Sequence, residues 1–346
     1  MQVTIQSNDE AIAAIPHLLG FEPHESLVIV PVRGVRAPVA RLDLPRTSHD
    51  AREVIDALSD TYASGRWGEI AVLVVCFSEN PATTAPFSAD LERALQGQDV
   101  AVVRRLAAGE TTWMDFTTNT TGPRTDEARD LIGAEAAFAG RRLPYSSREE
   151  LSAQFVGSTE LIGDALPEAR TGREQSTREL ERGYCQAVVE QYQVDHDRLD
   201  IGDAARLLVN LEVDTGLFLQ MAGEIRTQTA HEWLPLWKDL TRHAPDEVRA
   251  EPACLAALAA WCAGDGASAW SALDRVPADL PAEHPVAPVA NLLRQSLNSA
   301  AHPSTWDKIC DQALAGLDSS SKESSVGDRR VTSSPRRDGA APGVAI

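Results

Sequence analysis

Three groups of residues carry chemistry by type and spacing. The first is Ser78-Glu79-Asn80-Pro81-Ala82-Thr83-Thr84, a run of hydroxyls and an amide directly after the most apolar segment, residues 69–77. Ligands of open α/β sheets gather beyond the carboxyl ends of strands, so these groups are candidate small-ligand donors. The competing reading is a solvated connection whose Ser and Thr cap the next helix. The second group is His17, Glu22, His24 and Glu25, which offers imidazoles and carboxylates suited to a divalent metal. Their spacing matches no zinc or iron pattern, so no metal is assigned. The third is Arg41 and Asp43, two apart and therefore on one face of a strand. They either clamp a carboxylate or phosphate or form an internal salt bridge anchoring the Pro45 turn. The candidate ligand-binding set is thus His17, Arg41, Asp43, Ser78, Asn80, Thr83 and Thr84.

No nucleophile has a recognisable activating partner. Ser26, Ser78, Cys76 and Cys185 lie outside any GxSxG elbow, and Cys76 falls in the apolar segment, where a thiol is inert core. Asp195-His196-Asp197 reads as surface, because adjacent residues at a helix end point apart. No glycine-rich phosphate loop joins a strand to a helix, so no nucleotide cofactor is assigned. Trp233 and Trp237, four apart, share a helical face and, with Trp261, Trp270 and Trp306, are expected to pack a helical core.

These residues must be positioned by the elements around them. Ser7 and Glu10 have capping-box spacing, so a helix starts near Asn8. Pro16 should end it at Ile15, with a second short turn stopped by Gly20. Residues 3–6 suggest an initial strand, 26–32 and 37–44 a hairpin around Arg33-Gly34, and 50–64 an amphipathic helix. Residues 69–77 read as a strand buried on both faces. A helix over 88–96, a strand over 99–106 and an edge strand over 111–117 complete a three-layer α/β domain with a mixed sheet, spanning residues 1–145.

From Arg148 onward helical periodicity takes over, giving an all-α domain over residues 146–317. Ser147 and Glu150 form a second capping box. Residues 168–194 read as one long helix or two broken at Gly183, followed by helices over 203–210, 215–226, 231–243, 252–263, 267–274, 286–298 and 305–317. The alanine-rich pair around Gly264-Asp265-Gly266 resembles one hairpin of a tetratricopeptide-type array, without a second clear copy. Residues 318–346, rich in Ser, Gly, Pro and Arg, read as a disordered tail.

The 346 residues carry a formal charge of −19, and the tail holds five basic against four acidic residues, so the acidity belongs to the body. Such a surface repels phosphate backbones, which argues against nucleic-acid binding. No basic segment precedes an apolar core at the start, and no apolar run approaches membrane-spanning length, so a cytoplasmic location without membrane association is expected. Five scattered cysteines without CxxC spacing support neither disulfides nor a zinc knuckle. Three lysines beside many arginines and alanines fit a GC-rich, actinobacterial genome.

Two blocks carry a family resemblance. Pro16-His17-Leu18-Leu19-Gly20-Phe21-Glu22-Pro23, Ser26-Leu27-Val28 and Arg41-Leu42-Asp43-Leu44-Pro45 form the first. Leu255-Ala256-Ala257, Trp261, Gly264-Asp265-Gly266-Ala267, Ala269 and Trp306 form the second. Together they resemble an actinobacterial family known as domain of unknown function 4192, over nearly the whole chain to about Leu317. Where the family pattern implies a cysteine-rich turn between the blocks, this chain has Thr117 to Arg124, so no role resting on such cysteines carries over. The resemblance implies no activity. The expected function is a non-catalytic binding or regulatory protein, its α/β domain holding a small ligand and its helical domain a protein partner. The alternative is a hydrolase or transferase using the Ser78 to Thr84 loop with His17, Arg41 or Asp43.

Overall fold

Buried at every position, β3 (Ile70–Phe77) lies third in a six-stranded sheet of order β2-β1-β3-β4-β5-β6. The computed structural model describes residues 5–33, 37–63, 67–140, 142–299 and 301–313. β1 (Ser26–Arg33) pairs antiparallel with both β2 (Ala40–Asp43) and β3, and β4 (Val100–Ala108) runs parallel to β3. A parallel pair requires a crossover. It is supplied by a 3-10 turn (Pro81–Thr84) and the helix Ala85–Gln96, α3 below.

Alternation along the strands sorts side chains onto two apolar faces. Leu27, Ile29, Val72, Val74 and Cys76 meet Leu58 and Tyr62 of α2 (Ser48–Tyr62) and Leu91 and Leu95 of α3. Val28, Leu73, Val75 and Leu106 meet Ile12 and Ile15 of α1 (Asn8–Leu19). Ala13 and Ala14 pass that layer on to Ala128 and Ile132 of α4 (Asp126–Phe138). The result is the expected three-layer arrangement around a mixed sheet.

Several boundaries differ from the sequence expectation. The first helix starts with Ser7 Oγ accepting the Glu10 N–H, but it continues through Pro16 to Leu19. A proline in a helix removes one donor. Burial of Ile12, Ile15 and Pro16 holds both halves in line until Gly20, at φ +82°, closes it. The segment 111–117 is not the sheet edge. β5 (Thr112–Asp115) is paired on both sides, because β6 (Thr120–Pro123) folds back against it through Asn119 at φ +54°. The fully buried Asp115 fixes that turn, accepting the Thr117 and Thr118 N–H groups, Arg104 Nη1 and Asn8 Nδ2. The Val3 end of the expected initial strand, Gly34 of the hairpin and the tail over 318–346 lie outside the described residues.

After α4 the chain crosses back to the loop following α1. Tyr145 donates its N–H to Gly20 O and accepts from Glu22 N–H at 2.9 and 2.8 Å, a one-residue parallel bridge with Phe21. Helices follow: α5 (Arg148–Ala153), α6 (Glu160–Glu174), α7 (Arg178–Asp195), α8 (Ile201–Val213), α9 (Thr215–Glu224), α10 (Ala230–His243), α11 (Ala250–Cys262), α12 (Gly266–Leu273) and α13 (Val286–Asn298). Residues 168–194, read as one helix or two broken at Gly183, are divided instead between α6 and α7, where Thr177 Oγ1 accepts the Leu180 N–H. Gly183 is exposed, and the packing of its neighbours Glu181 and Cys185 carries α7 across it. α11 is buried along its whole length and packs against α10, α12 and α13. Trp233 and Trp237 stack in this core, centroids 6.2 Å apart. The described residues up to Pro303 form one compact unit and those from Ser304 a second, in which 304–313 are helical.

Candidate functional site

The carboxyl end of β3 assembles part of the expected set around a residue outside it, Glu25. Glu25 adopts φ +39°, a left-handed conformation that costs free energy for a residue with a Cβ. Its carboxylate accepts the Glu79 N–H at 2.8 Å and the Ser78 hydroxyl at 3.3 Å, while its carbonyl accepts the Leu44 N–H. Ser78 Oγ in turn accepts the Asn80 N–H, and the Ser78 N–H continues the parallel ladder to Ala108 O. One residue along, Ser26 Oγ donates to His24 O and accepts Arg41 Nε at 3.0 Å. Arg41 also pairs with Asp43 at 2.7 Å and lies 5.9 Å over the Phe21 ring. Arg41 and Asp43 therefore share a face as expected and form the internal salt bridge. Asp43 is 80% exposed, which leaves the pair weak in water.

Arg41, Asp43, Ser78 and Asn80 thus line one end of the sheet, linked through Ser26 and Glu25. The Thr83 and Thr84 hydroxyls are spent on Asn80 O and Pro81 O inside the 3-10 turn. His17 stands in the last turn of α1. Among the described residues no group of three or more His, Cys, Asp or Glu has the geometry of a metal site. Burial pushes the Cys76 and Cys185 thiols up to about 12, which makes both poor nucleophiles. Glu25 was legible only as one of a loose set of metal-type ligands, because nothing local in a sequence marks a glutamate for positive φ.

The helical half holds its own charged groups more tightly. Asp214, at the start of α9, receives two hydrogen bonds from Arg182 and one ion pair from Arg178, and these hold its carboxyl down to about 2 against the opposing effect of burial. Glu181 is fixed by Arg206 at 2.9 and 2.7 Å and by Asn210 Nδ2, and is likewise held at about 2. The two networks lock α7 onto α8 and α9. Beside them two cavities open. One of about 200 Å³ is lined by Tyr192, His196, Leu199 and Asp239. The other, about 480 Å³, lies between α7, α9 and α10, with Val189, Met221 and Trp233 as apolar ground and Glu190, Glu224 and Glu232 as carboxylates. The latter falls in the size range of ligand sites. None of its residues was picked out as a site in the sequence, since α7 meets α10 only through tertiary packing.

A mixed-sheet α/β layer structure joined to a helical half defines the class as an α+β protein. The model of one family, Domain of unknown function (DUF4192), matches residues 9–304, and the chain belongs to that family. No curated protein matches the chain, and no solved structure does. Among the described residues no helix is long and apolar enough to cross a membrane.

Proposed function

We propose that this protein is a non-catalytic binding or regulatory module of the actinobacterial cytoplasm, with a tetratricopeptide-like helical half that receives a protein partner and an α/β half that holds a small ligand at the carboxyl end of its sheet. The observation that carries the reading is the groove between α7, α9 and α10, which combines apolar ground with three carboxylates. At the sheet end, by contrast, the Glu25, Ser78 and Arg41 side chains are engaged in holding loops together, which favours a positioning role over turnover. The acidic surface argues against nucleic acid as the partner.

The second reading is a hydrolase or transferase built on the Ser78 hydroxyl and the Glu25 carboxylate, 3.3 Å apart. A thermal-shift screen of the full chain against nucleotides, coenzymes, metabolites and peptides separates the two, because ligands of the native state raise its melting temperature. The expected results are a peptide shift that Met221→Trp abolishes and Ser78→Ala leaves intact, and a small-molecule shift that Ser78→Ala weakens and Met221→Trp leaves intact, with no product formed in either case. Turnover lost in Ser78→Ala would overturn the binding role.

A further inference from the structure

Val194 lines the same groove as Val189, Met221 and Trp233 yet is 77% exposed, so the apolar ground runs out of the cavity onto the open face of α7. A ligand confined to the cavity would leave that apolar surface uncovered. An amphipathic helix would cover both, in the helix-in-groove manner that uses adaptable residues such as methionine as its floor.

The charge of the lining indicates what the second face of such a helix carries. Its charged members are Glu190, Glu224 and Glu232, and no lysine or arginine among the described residues lines the cavity. Glu232 meets His231 Nε2 at 3.7 Å. The Glu224 carboxyl is raised above its ordinary value, first by desolvation against the helices and also by the Glu190 charge, despite a hydrogen bond from Gln220. Gln193, in the same lining, holds its amide nitrogen closed to solvent and without a partner. Carboxylates crowded beside apolar ground favour an incoming cation, and charge complementarity of this kind also steers encounter.

We propose that the groove between α7, α9 and α10 receives a basic amphipathic helix of a partner protein, with apolar residues against Val189, Val194, Met221 and Trp233 and lysine or arginine side chains beside Glu190, Glu224 and Glu232. The assignment rests on the binding role proposed above and names the partner's chemistry.

The test uses three labelled amphipathic 18-residue helices with one leucine face, the other face being lysine, glutamine or glutamate, titrated into the full chain by fluorescence anisotropy. The leucine–lysine peptide is expected to bind and the leucine–glutamate peptide to fail. The double substitution Glu190→Gln, Glu224→Gln should weaken binding about tenfold. Val194→Lys, on an exposed side chain that cannot unfold the helix, should weaken it similarly. Glu127→Gln with Asp130→Asn on α4 should change nothing. Equal losses at α4 would mean general attraction to an acidic protein and overturn the proposal. Equal binding of the glutamine peptide would overturn the basic partner while leaving the groove as a binding site. No binding of the lysine peptide would overturn the partner assignment, and the ligand screen would then decide the binding role separately.

Discussion

Glu251, in the first turn of α11, is closed to solvent, with its Oε1 lacking a hydrogen bond and 3.6 Å from His284 Nε2. Burial, reinforced by the Glu212 charge, pushes its carboxyl up to about 7. The folded chain therefore holds a proton that the unfolded chain releases above its ordinary value of 4.5, and stability falls as pH rises from there through about 7. Glu251→Gln should remove this slope and raise stability at pH 8 by roughly 2–3 kcal/mol, read from urea unfolding at pH 5 and pH 8. An unchanged slope would mean that the carboxylate finds solvent. Glu181 and Asp214 act with the opposite sign. Their depressed carboxyls stabilise the fold above their ordinary values, and that contribution is lost as pH falls through about 2. Glu181→Ala leaves the Arg206 guanidinium without its carboxylate and the Asn210 amide with only Arg206 O, and should cost about 3 kcal/mol at neutral pH by denaturant titration. Glu25 offers a finer comparison. Glu25→Gly and Glu25→Ala both lose the contacts to Ser78 and Glu79, but only glycine relieves the positive φ, so the alanine variant should be less stable by about 1 kcal/mol.

At the scale of elements, glycines mark two junctions. Gly20 closes α1 at φ +82°, and Gly20→Ala should lower stability by about 1 kcal/mol. On the edge strand, a Cβ at Gly122 would overlap the Trp113 ring, so the indole lies across the glycine of its paired position. Gly122→Ala should displace the ring at a cost of about 1–3 kcal/mol and shift tryptophan fluorescence. Much of this architecture was legible. The Ser7 and Ser147 caps, the β-branched run of β3 and the alanine-rich α11 carry their signals in neighbouring residues. The misses share a cause. Helix α1 passes Pro16, and α7 passes Gly183, because packing outweighs local propensity. Helix α4 was overlooked although Thr125 caps it, since its alanine-rich face shows periodicity only once Ala13 and Ala14 are known to lie opposite. The sheet-end cluster was half legible, as Arg41 and Asp43 by strand spacing and Ser78 by position. The groove was not, since its residues come from three helices.

Across the whole molecule, the segment that leads into the helical half is first tied at the backbone to the loop after α1. Two reciprocal hydrogen bonds tie Tyr145 to the loop after α1, on either side of Phe21, whose ring is buried. In native-state hydrogen exchange the Tyr145 and Glu22 amides should exchange with the slowest class of the sheet, since releasing them requires separating the ends of the α/β layer. Fast exchange at Tyr145 with slow exchange in β3 would show a frayed linker instead. The same bridge bears on how the chain is made. Its two strands are separated by the entire sheet, so during synthesis the first helix and its loop leave the ribosome long before the residue that secures them. Contacts of such long sequence separation form late. The Tyr145 bridge should therefore close only after the sheet has paired, just before α5, which begins three residues further on.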